Sequence, residues 1–554
     1  MSGGPKVPRI SGKALRALAK ASRTGPVKAL LARIARKELG VAELHAIEPE
    51  MRSTLPLHAK ALRARSSHDR ASQNLSWPKH RGPRASASEL VHAFSKGAVT
   101  PSEIATRAIA ASHRFGKLSP SINPMLALDE DGALRAAKAA DDRYRHGKAL
   151  GPLDGVPITV KEQFDLRGFP TMSGTSYLSK TPKADDATAV SRLRQAGAVI
   201  LGHTMMTEFG MSPIGYNPHR TMPRNPHHHG CTAGGSSTGA AVSVATGMVP
   251  LALGADGGGS IRTPSSLCGI FGIKPTFGRV SRHGDSFLGT MNHDGPLALS
   301  TVELAQFLEI ASGEDLHDDL TLGQSPPRAL DALGRGVAGL RIGIDEIEMQ
   351  AADDVVANAC RAALTALEKE GAVLVPVRSE LIRHAASIGY QTIAIEGFAE
   401  LLEVRSHFFD SFGPDLQIVA ATTAGLDSDS YVDAQRLRAS LRKEMAQILE
   451  HVDVLALPTL VHTAPRVTDD DMVSGFLDPA VLAGLCRFAF LANVTGLPAG
   501  TAPVGTDSEG LPIGLQIIGD AWDEACVLQV LAHLERAEIA KAPTPRTMVS
   551  LLSD

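Results

Sequence analysis

Short aliphatic runs alternate with longer amphipathic segments through most of the chain. VPITV (156–160) and AVILG (198–202) have the length and β-branched content of buried strands, and AVSRLRQAG (189–197) between them has helical spacing and ends in glycine. The same alternation recurs in GLRIGID, DDVVANACRAALTALEKEG, AVLVPV, VDVLALPT and LPIGLQIIG. It predicts an α/β fold with a central mixed or mostly parallel twisted β-sheet covered by helices on both faces.

Two helix starts follow a polar, proline-containing segment at 66–85. Ser86 with Glu89, and Thr100 with Glu103, have the spacing of capping boxes, and Pro101 occupies the first helical position of the second helix. The polar segment without periodicity reads as a linker. We therefore predict a basic, helical N-terminal extension with its linker over 1–84 and a catalytic domain over 85–554.

The predicted extension is strongly basic. Residues 1–84 hold 18 Lys and Arg against 5 Asp and Glu, although the whole chain has a net charge of −3. Within it, PVKALLARIARKEL predicts an amphipathic helix whose apolar stripe is Val27, Leu30, Leu31 and Ile34. Packing of this helix on the main domain is the favoured interpretation. Peripheral contact with an anionic membrane surface and an organelle-targeting peptide are the alternatives.

Composition limits the classes of protein that remain. The chain of 554 residues is 43% hydrophobic and 21% charged, as in ordinary globular proteins, and no nucleic-acid-binding module accompanies the basic segment. Its five cysteines are scattered without a CxxC pair, which disfavours a disulfide framework. No secretory signal or membrane-spanning run is apparent. These observations predict a cytoplasmic protein, with membrane association left open, and no nucleic-acid partner.

Two glycine-serine runs, GGSSTG (234–239) and ADGGGSIR (255–262), carry the candidate chemistry. Gly235, Ser237 and Gly239 satisfy the G-x-S-x-G pattern of a nucleophile elbow, but NPHHHGCTA before it is not a strand, as that motif requires. In the second run, three glycines directly precede Ser260, so that backbone N–H groups can turn toward one point, as an oxyanion requires. An anion-binding nest is the alternative, although the lysine of a P-loop is absent.

A serine nucleophile needs a base, and Lys161 is the candidate. It directly follows the strand VPITV, and active sites of open α/β sheets gather at such strand ends. Burial would lower the pKa of a lysine toward neutrality. On periodicity alone, a lysine that ends a strand is also compatible with a plain solvated charge.

From about Ser86 onward the chain resembles the amidase signature family, serine hydrolases with a Ser-cisSer-Lys triad. The resemblance lies in GPLDGVPITVKEQFD (151–165), in the segment 234–281 and in NVTGLPAGTAPVG with GLPIGLQIIG. It implies that Ser260 is the nucleophile, that Ser236 follows a cis peptide bond and relays the proton, and that Lys161 is the base. It places the oxyanion hole at the N–H groups of Gly257, Gly258, Gly259 and Ser260.

The resemblance also implies supporting residues and no cofactor or metal. Asp256 and Arg262 match charged positions that brace the nucleophile loop, and Ser237 belongs to the supporting set. The run His227 to His229 lacks the spacing of a zinc site. Cys231 and Cys268 flank the motifs and are interpreted as small packed residues.

Two departures from the family pattern bear on the substrate. Thr238 replaces a usual glycine, which predicts a narrower pocket. ADGGGS replaces the more frequent TDTGGS and, together with PSSLCGI and the N-terminal extension, is most similar to the plant-type fatty acid amide hydrolase branch. This resemblance implies a small-molecule N-acyl amide substrate. A general aliphatic, aryl or peptide amidase, the amidase subunit of a tRNA-dependent amidotransferase, and a homodimer remain open.

Overall fold

A computed structural model of the protein describes residues 9–48, 51, 75–287 and 289–553. In this part of the chain the strands are β1 Ile10–Ser11, β2 Met125–Leu128, β3 Pro157–Lys161, β4 Val199–Thr204, β5 Leu251–Asp256, β6 Phe271–Lys274, β7 His293–Ala298, β8 Arg341–Ile344, β9 Val373–Pro376, β10 Val454–Pro458, β11 Phe476–Leu477, β12 Ala499–Thr506 and β13 Pro512–Gly519. The strand runs named in the sequence analysis are thus confirmed.

Eleven of these strands form one mixed sheet in the order β2-β4-β3-β5-β7-β6-β12-β13-β10-β8-β9. The strands β4, β3 and β5 run parallel near one end, and β10, β8 and β9 run parallel at the other. Antiparallel pairs join these two groups through β7, β6, β12 and β13. The sheet is therefore mixed, as predicted. It contains more antiparallel pairs than a mostly parallel sheet would have.

The helices of the described residues are α1 Gly12–Ala21, α2 Gly25–Glu38, α3 Val41–His45, α4 Ala87–Ser95, α5 Pro101–Gly116, α6 Glu130–Arg145, α7 Thr188–Gln195, α8 Thr238–Ala245, α9 Arg262–Cys268, α10 Thr301–Ala311, α11 Ala329–Ala332, α12 Glu346–Met349, α13 Asp354–Lys369, α14 Ala385–Glu400, α15 Leu402–Phe408, α16 Pro414–Thr423, α17 Ser428–His451, α18 Asp469–Ser474, α19 Pro479–Cys486, α20 Phe490–Thr495 and α21 Glu524–Arg536. Both predicted capping boxes are present, at α4 and at α5. None of these helices combines the length and hydropathy needed to cross a membrane.

Alternating side chains of the central strands enter two different hydrophobic cores. On β10, Val454 and Ala456 belong to one cluster, whereas Leu455 and Leu457 belong to the other. Successive residues of a strand point to opposite faces, so both faces of the sheet are buried. The first core includes side chains of α13 and α21, and the second includes side chains of α14, α17 and α20. Helices therefore cover both faces, as predicted.

The N-terminal helices pack against the later helical layer. Leu15, Ala19 and Leu31 form a small core with Ile418 and Ala421 of α16, and β1 pairs with β11. The first part of the predicted linker, residues 66–74, lies outside the described residues. Its described end is anchored, because the buried Arg84 guanidinium donates to the carbonyl oxygens of Ala245, Ala542 and Pro543.

The predicted amphipathic helix is confirmed as α2, but only Val27 and Leu31 of the predicted stripe face the rest of the protein. Leu31 is buried, whereas Leu30 is 57% exposed and Ile34 is 38% exposed. The reason is a close approach: the Cβ of Ala32 lies 2.4 Å from where a Cβ on Gly425 would stand. This helix therefore packs through Leu31 together with the small side chains of Ala32 and Ala35, and Leu30 and Ile34 stay exposed.

Candidate active site

The candidate site lies where two neighbouring parallel strands end. Strands β3 and β5 pair in parallel, with Ile158 opposite Leu251 and Val160 opposite Leu253. The last residue of β3 is Lys161, and β5 ends at Asp256, directly before the three glycines and Ser260. Because carboxyl ends of parallel strands meet at one edge of a sheet, two motifs about a hundred residues apart converge there.

Lys161 is hydrogen-bonded to Ser236. The Nζ of Lys161 lies 2.8 Å from the Oγ of Ser236, and the two residues are only 1% and 2% exposed. Burial lowers the pKa of Lys161 to about 8, against the opposing pull of nearby carboxylates. The peptide bond between Gly235 and Ser236 is cis. The lysine can therefore be neutral near physiological pH, as a base must be.

The glycines around Ser236 permit close backbone packing. A Cβ on Gly235 would lie 2.9 Å from the carbonyl oxygen of Ser212, and one on Gly239 would lie 2.3 Å from that of Pro124. Neither contact is tolerated, so side-chain-free residues are needed on both sides of the serine pair. Helix α8 then begins at Thr238, and all eight of its residues are buried.

Lys161, Ser236 and Ser260 line one cavity of about 550 Å³ that opens to solvent. Gly257 and Gly258 also line it. The three predicted triad residues and the first part of the predicted oxyanion hole thus share one cavity.

The three glycines before Ser260 do not have equal roles. A Cβ on Gly258 would lie 2.6 Å from the Phe490 ring, so only glycine fits there. Gly259 has a φ of 120° and its N–H donates to the Oδ1 of Asp256 at 2.7 Å. That N–H is therefore directed at a carboxylate, and we narrow the predicted set of oxyanion donors to the N–H groups of Gly257, Gly258 and Ser260.

Asp256 and Arg262 form a buried ion pair that joins the two ends of the nucleophile loop, residues 257–261. The guanidinium donates to both carboxylate oxygens, at 3.0 Å through Nε and at 2.9 Å through Nη2, and both side chains are fully buried. Burial alone would raise the pKa of Asp256, but Arg262 and the amide of Asn493 hold it well below its usual range. The pair joins the loop to α20, which is consistent with a bracing role.

Ser237 and Thr238 lie outside the cavity lining. The Ser237 hydroxyl is fully buried and donates to the carbonyl oxygen of Ala255, while its N–H donates to the carbonyl oxygen of Ser260. Thr238 is also fully buried and its hydroxyl donates to the carbonyl oxygen of Gly234. Ser237 thus connects the two motifs. The sequence predicts that Thr238 narrows the pocket, and this prediction is wrong because Thr238 does not line the cavity.

Apolar side chains form one wall of the cavity, and sequence reasoning did not identify them. They are Phe209, Met211, Phe287, Met291 and Ile393. Phe209 has a φ of 49°, a left-handed conformation that is uncommon for residues other than glycine and often marks a functional site. These residues come from separate segments, so no single motif announces them.

Polar residues that the sequence analysis also missed complete the lining: Gln163, Asn292, Glu396 and Glu400. Glu396 accepts hydrogen bonds from the backbone and hydroxyl of Thr290 and from the hydroxyl of Tyr431. Arg438 donates to the same threonine. Of these four residues, only Gln163 has a signal in the sequence that could have identified it, because it lies two residues after Lys161.

The histidine run makes three separate contacts. His227 lies 3.0 Å from the carbonyl oxygen of Cys268, His229 lies 2.9 Å from the hydroxyl of Thr547, and the His228 ring accepts from the N–H of Gly230. Burial lowers the pKa of His227 to about 4. Among the described residues no group of three or more His, Cys, Asp or Glu side chains is arranged to hold a metal ion. Cys231 and Cys268 are buried.

Comparisons with known proteins find a matching family model, related sequences and similar solved structures. A family model described as Amidase matches residues 108–528. A fatty acid amide hydrolase of Oryza sativa subsp. indica is 33% identical over 479 residues, covering 84% of this chain and 78% of that protein. A glutamyl-tRNA(Gln) amidotransferase subunit of Chloroflexus aurantiacus is 35% identical over 484 residues, covering 82% and 97%. A solved peptide amidase of Stenotrophomonas maltophilia is 26% identical with a TM-score of 0.70, covering 84% and 99%.

Proposed function

The chain belongs to the amidase family and is an amidase, and from this premise we propose that it cleaves a carboxylic amide through an acyl-enzyme formed on Ser260. The observation that carries the proposal is the 2.8 Å contact between Lys161 and Ser236 in the cavity that Ser260 also lines. Lysine and two serines so placed can move one proton in either direction between a nucleophile and a leaving group.

The proposed reaction begins with neutral Lys161. It takes the proton of Ser236, Ser236 takes the proton of Ser260, and the Ser260 oxygen bonds to the amide carbon. The N–H groups of Gly257, Gly258 and Ser260 stabilise the oxyanion, each worth about 3 to 4 kcal/mol by analogy with other hydrolases. The proton returns through Ser236 to the leaving nitrogen as the C–N bond breaks. Water then repeats the sequence on the ester and releases the carboxylate.

Labelling with a fluorophosphonate tests these roles directly. We expect mass spectrometry to find the label on Ser260, and we expect Ser260→Ala to abolish both labelling and turnover. Lys161→Ala and Ser236→Ala should each slow labelling by at least a hundredfold, because general-base catalysis contributes about 10² to 10⁴. The exposed Ser95→Ala and Lys183→Ala serve as matched controls. A label on Ser237, or full activity of Lys161→Ala, would contradict the mechanism.

For the substrate we propose an N-acyl amide with a long apolar acyl chain. The five apolar side chains of the cavity wall support this, as does similarity to fatty acid amide hydrolases over most of the chain. Long-chain amides should protect Ser260 from the fluorophosphonate at lower concentration than short aliphatic, aryl or peptide amides. Better protection by a short amide would refute the long-chain assignment and leave the amidase assignment intact.

A second candidate is an amidotransferase subunit that delivers ammonia to a partner. It is favoured by one observation, the 35% identity to the Chloroflexus aurantiacus amidotransferase protein, of which 97% is covered. Hydrolysis of N-acyl amides by the purified chain alone, measured with light scattering to determine its oligomeric state, separates the two functions.

We also propose that the outward face of α2 contacts an anionic membrane surface. Leu30 and Ile34 are exposed there, and helical spacing places the exposed Arg33 and Lys37 on the same side. Leu30→Ser with Ile34→Ser should reduce co-sedimentation with anionic vesicles, whereas Leu316→Ser, at a residue 88% exposed elsewhere, should not. Equal sedimentation of all forms would remove this proposal.

A reducing, intracellular compartment completes the proposal. None of the five cysteines forms a disulfide and all five are buried, which supports a protein that keeps its thiols reduced. Mass spectrometry of the protein alkylated under denaturing conditions without reductant should find five modified thiols, and a disulfide would contradict this location.

A further inference from the structure

A pair of buried carboxyl groups lies behind the cavity, outside the proposed triad. Asp285 stands in the loop before β7, and Asp294 is the second residue of that strand. The side chains are hydrogen-bonded to each other, and the residues are 8% and 2% exposed. Two carboxylates in contact and away from water cannot both be ionised at moderate cost, so such a pair retains a proton.

The donors around the pair show where the proton lies. Asp285 accepts from the amide of Gln163 at 2.7 and 2.9 Å, from the amide of Asn292 at 2.6 Å and from the N–H of Phe287 at 2.9 Å. Among the described residues, the Oδ2 of Asp294 has no hydrogen-bond donor, and its Oδ1 is 3.5 Å from Asn292. Donors stabilise the charged form, so Asp285 carries the charge and Asp294 is the neutral acid.

The charge on the pair acts on Lys161. The acidic groups that face this ammonium are Asp285, Asp256 and Asp294, with Asp285 the strongest of the three. Arg282 is the further charged group that faces Asp294. Asp256 is already committed to Arg262. The carboxyl pair is therefore the part of the surroundings that can adjust the lysine independently of the nucleophile loop.

We propose that Asp285 and Asp294 share one proton, and that the single negative charge left on the pair sets the pH above which Lys161 becomes neutral and the enzyme becomes active. Asp285 is the positioning residue, since its charge acts through Lys161, and Asp294 holds the shared proton; the inference rests on the proposed role of Lys161 as the base. Gln163 and Asn292 connect the pair to the cavity surface, because they line the cavity and donate to Asp285.

The pH profile of Ser260 labelling and of kcat/KM tests this inference. Removing the negative charge favours neutral Lys161, so Asp285→Asn with Asp294→Asn should move the acid limb to lower pH, by on the order of one pH unit. Asp294→Asn alone is the matched control. It replaces a neutral acid by a neutral amide that still donates to Asp285, so its acid limb should coincide with that of the wild type.

Two results would overturn the inference. One is an unshifted acid limb in the double variant, and the other is a shift in Asp294→Asn as large as in the double variant. Labelling at a pH well above the limb should be similar in all forms, which shows that the site is intact. If the double variant does not fold, Asp285→Asn alone must shift the limb in the same direction by less, because the charge then moves to Asp294. Full activity of Lys161→Ala would instead refute the proposed base.

Discussion

Asp256→Asn, which replaces one carboxylate oxygen by an NH₂ group, should be among the most destabilising conservative substitutions in this protein. Both carboxylate oxygens face only donors: Oδ1 accepts from Gly259, Arg262 and Asn493, and Oδ2 accepts from Ile261 and Arg262. Whichever way the asparagine is turned, its NH₂ group meets N–H donors and finds no acceptor. The substitution also leaves the guanidinium of Arg262 fully buried without its counter-charge.

The expected loss follows from these contacts. Breaking a buried ion pair from one side costs about 3 to 5 kcal/mol. At about 2.1 cal/mol/K per residue, the 554 residues have an unfolding entropy of roughly 1.2 kcal/mol/K. Dividing the loss of free energy by this entropy predicts a melting temperature about 3 to 4 °C lower. Because either Gly259 or Ile261 loses its acceptor, depending on how the amide is turned, labelling of Ser260 should also slow at temperatures where the fold persists.

The assay compares melting temperature and labelling rate in four variants. Asp142→Asn removes an exposed charge paired with Arg145 and should shift stability by no more than about 0.5 kcal/mol. Arg262→Met should lower the free energy of unfolding. The double variant Asp256→Asn with Arg262→Met should lower it by about 1 to 3 kcal/mol less than the sum of the two single changes. An Asp256→Asn protein that melts and labels like Asp142→Asn would refute the idea that this ion pair supports the nucleophile loop.

Three further changes have defined outcomes. The kcat/KM of the wild type should fall about tenfold per pH unit below the pKa of Lys161, near 8, because the lysine must be neutral to accept a proton; a flat profile over that range would exclude it as the base. Gly258→Ala should lower activity, since its Cβ would lie 2.6 Å from the Phe490 ring, and adding Phe490→Leu should recover part of it; no recovery would place the effect elsewhere. Gly425→Val should loosen α2 and expose it to limited proteolysis, because a Cβ there would lie 2.4 Å from the Cβ of Ala32 and 2.9 Å from its Cα; adding Ala32→Gly removes only the first contact and should restore protection in part, and unchanged proteolysis of Gly425→Val would contradict this close packing.

The sequence predicted the elements and the motifs well because both depend on local chemistry. Strand β3, helix α13 and the two capping boxes lie where periodicity and cap residues placed them. Lys161, Ser236 and Ser260 could be singled out because each sits in a distinctive run. The antiparallel centre of the sheet could not be derived, since local periodicity does not determine which strands pair.

Errors arose where tertiary contacts override local pattern. Apolar spacing predicts that Leu30 and Ile34 of α2 are buried with Leu31, but the close approach of Ala32 to Gly425 leaves both exposed. Gly259 was counted among the oxyanion donors because of its position, whereas its N–H is held by Asp256. Thr238 was expected to reach the pocket, yet its hydroxyl bonds back to Gly234. Each outcome depends on a partner that is distant in space or hidden by side-chain direction.

Part of the cavity lining lies far along the chain from the triad candidates, although Phe209 and Met211 lie between them. The triad candidates lie within residues 161–260, and Ser237 joins their two motifs through Ala255 and Ser260. The wall that faces the substrate includes Ile393 and Glu396 of α14, more than a hundred residues later. Changes in α14 can therefore alter the acyl group that fits without disturbing the proton path. This separation explains why one set of motifs indicates the reaction clearly and the substrate only weakly.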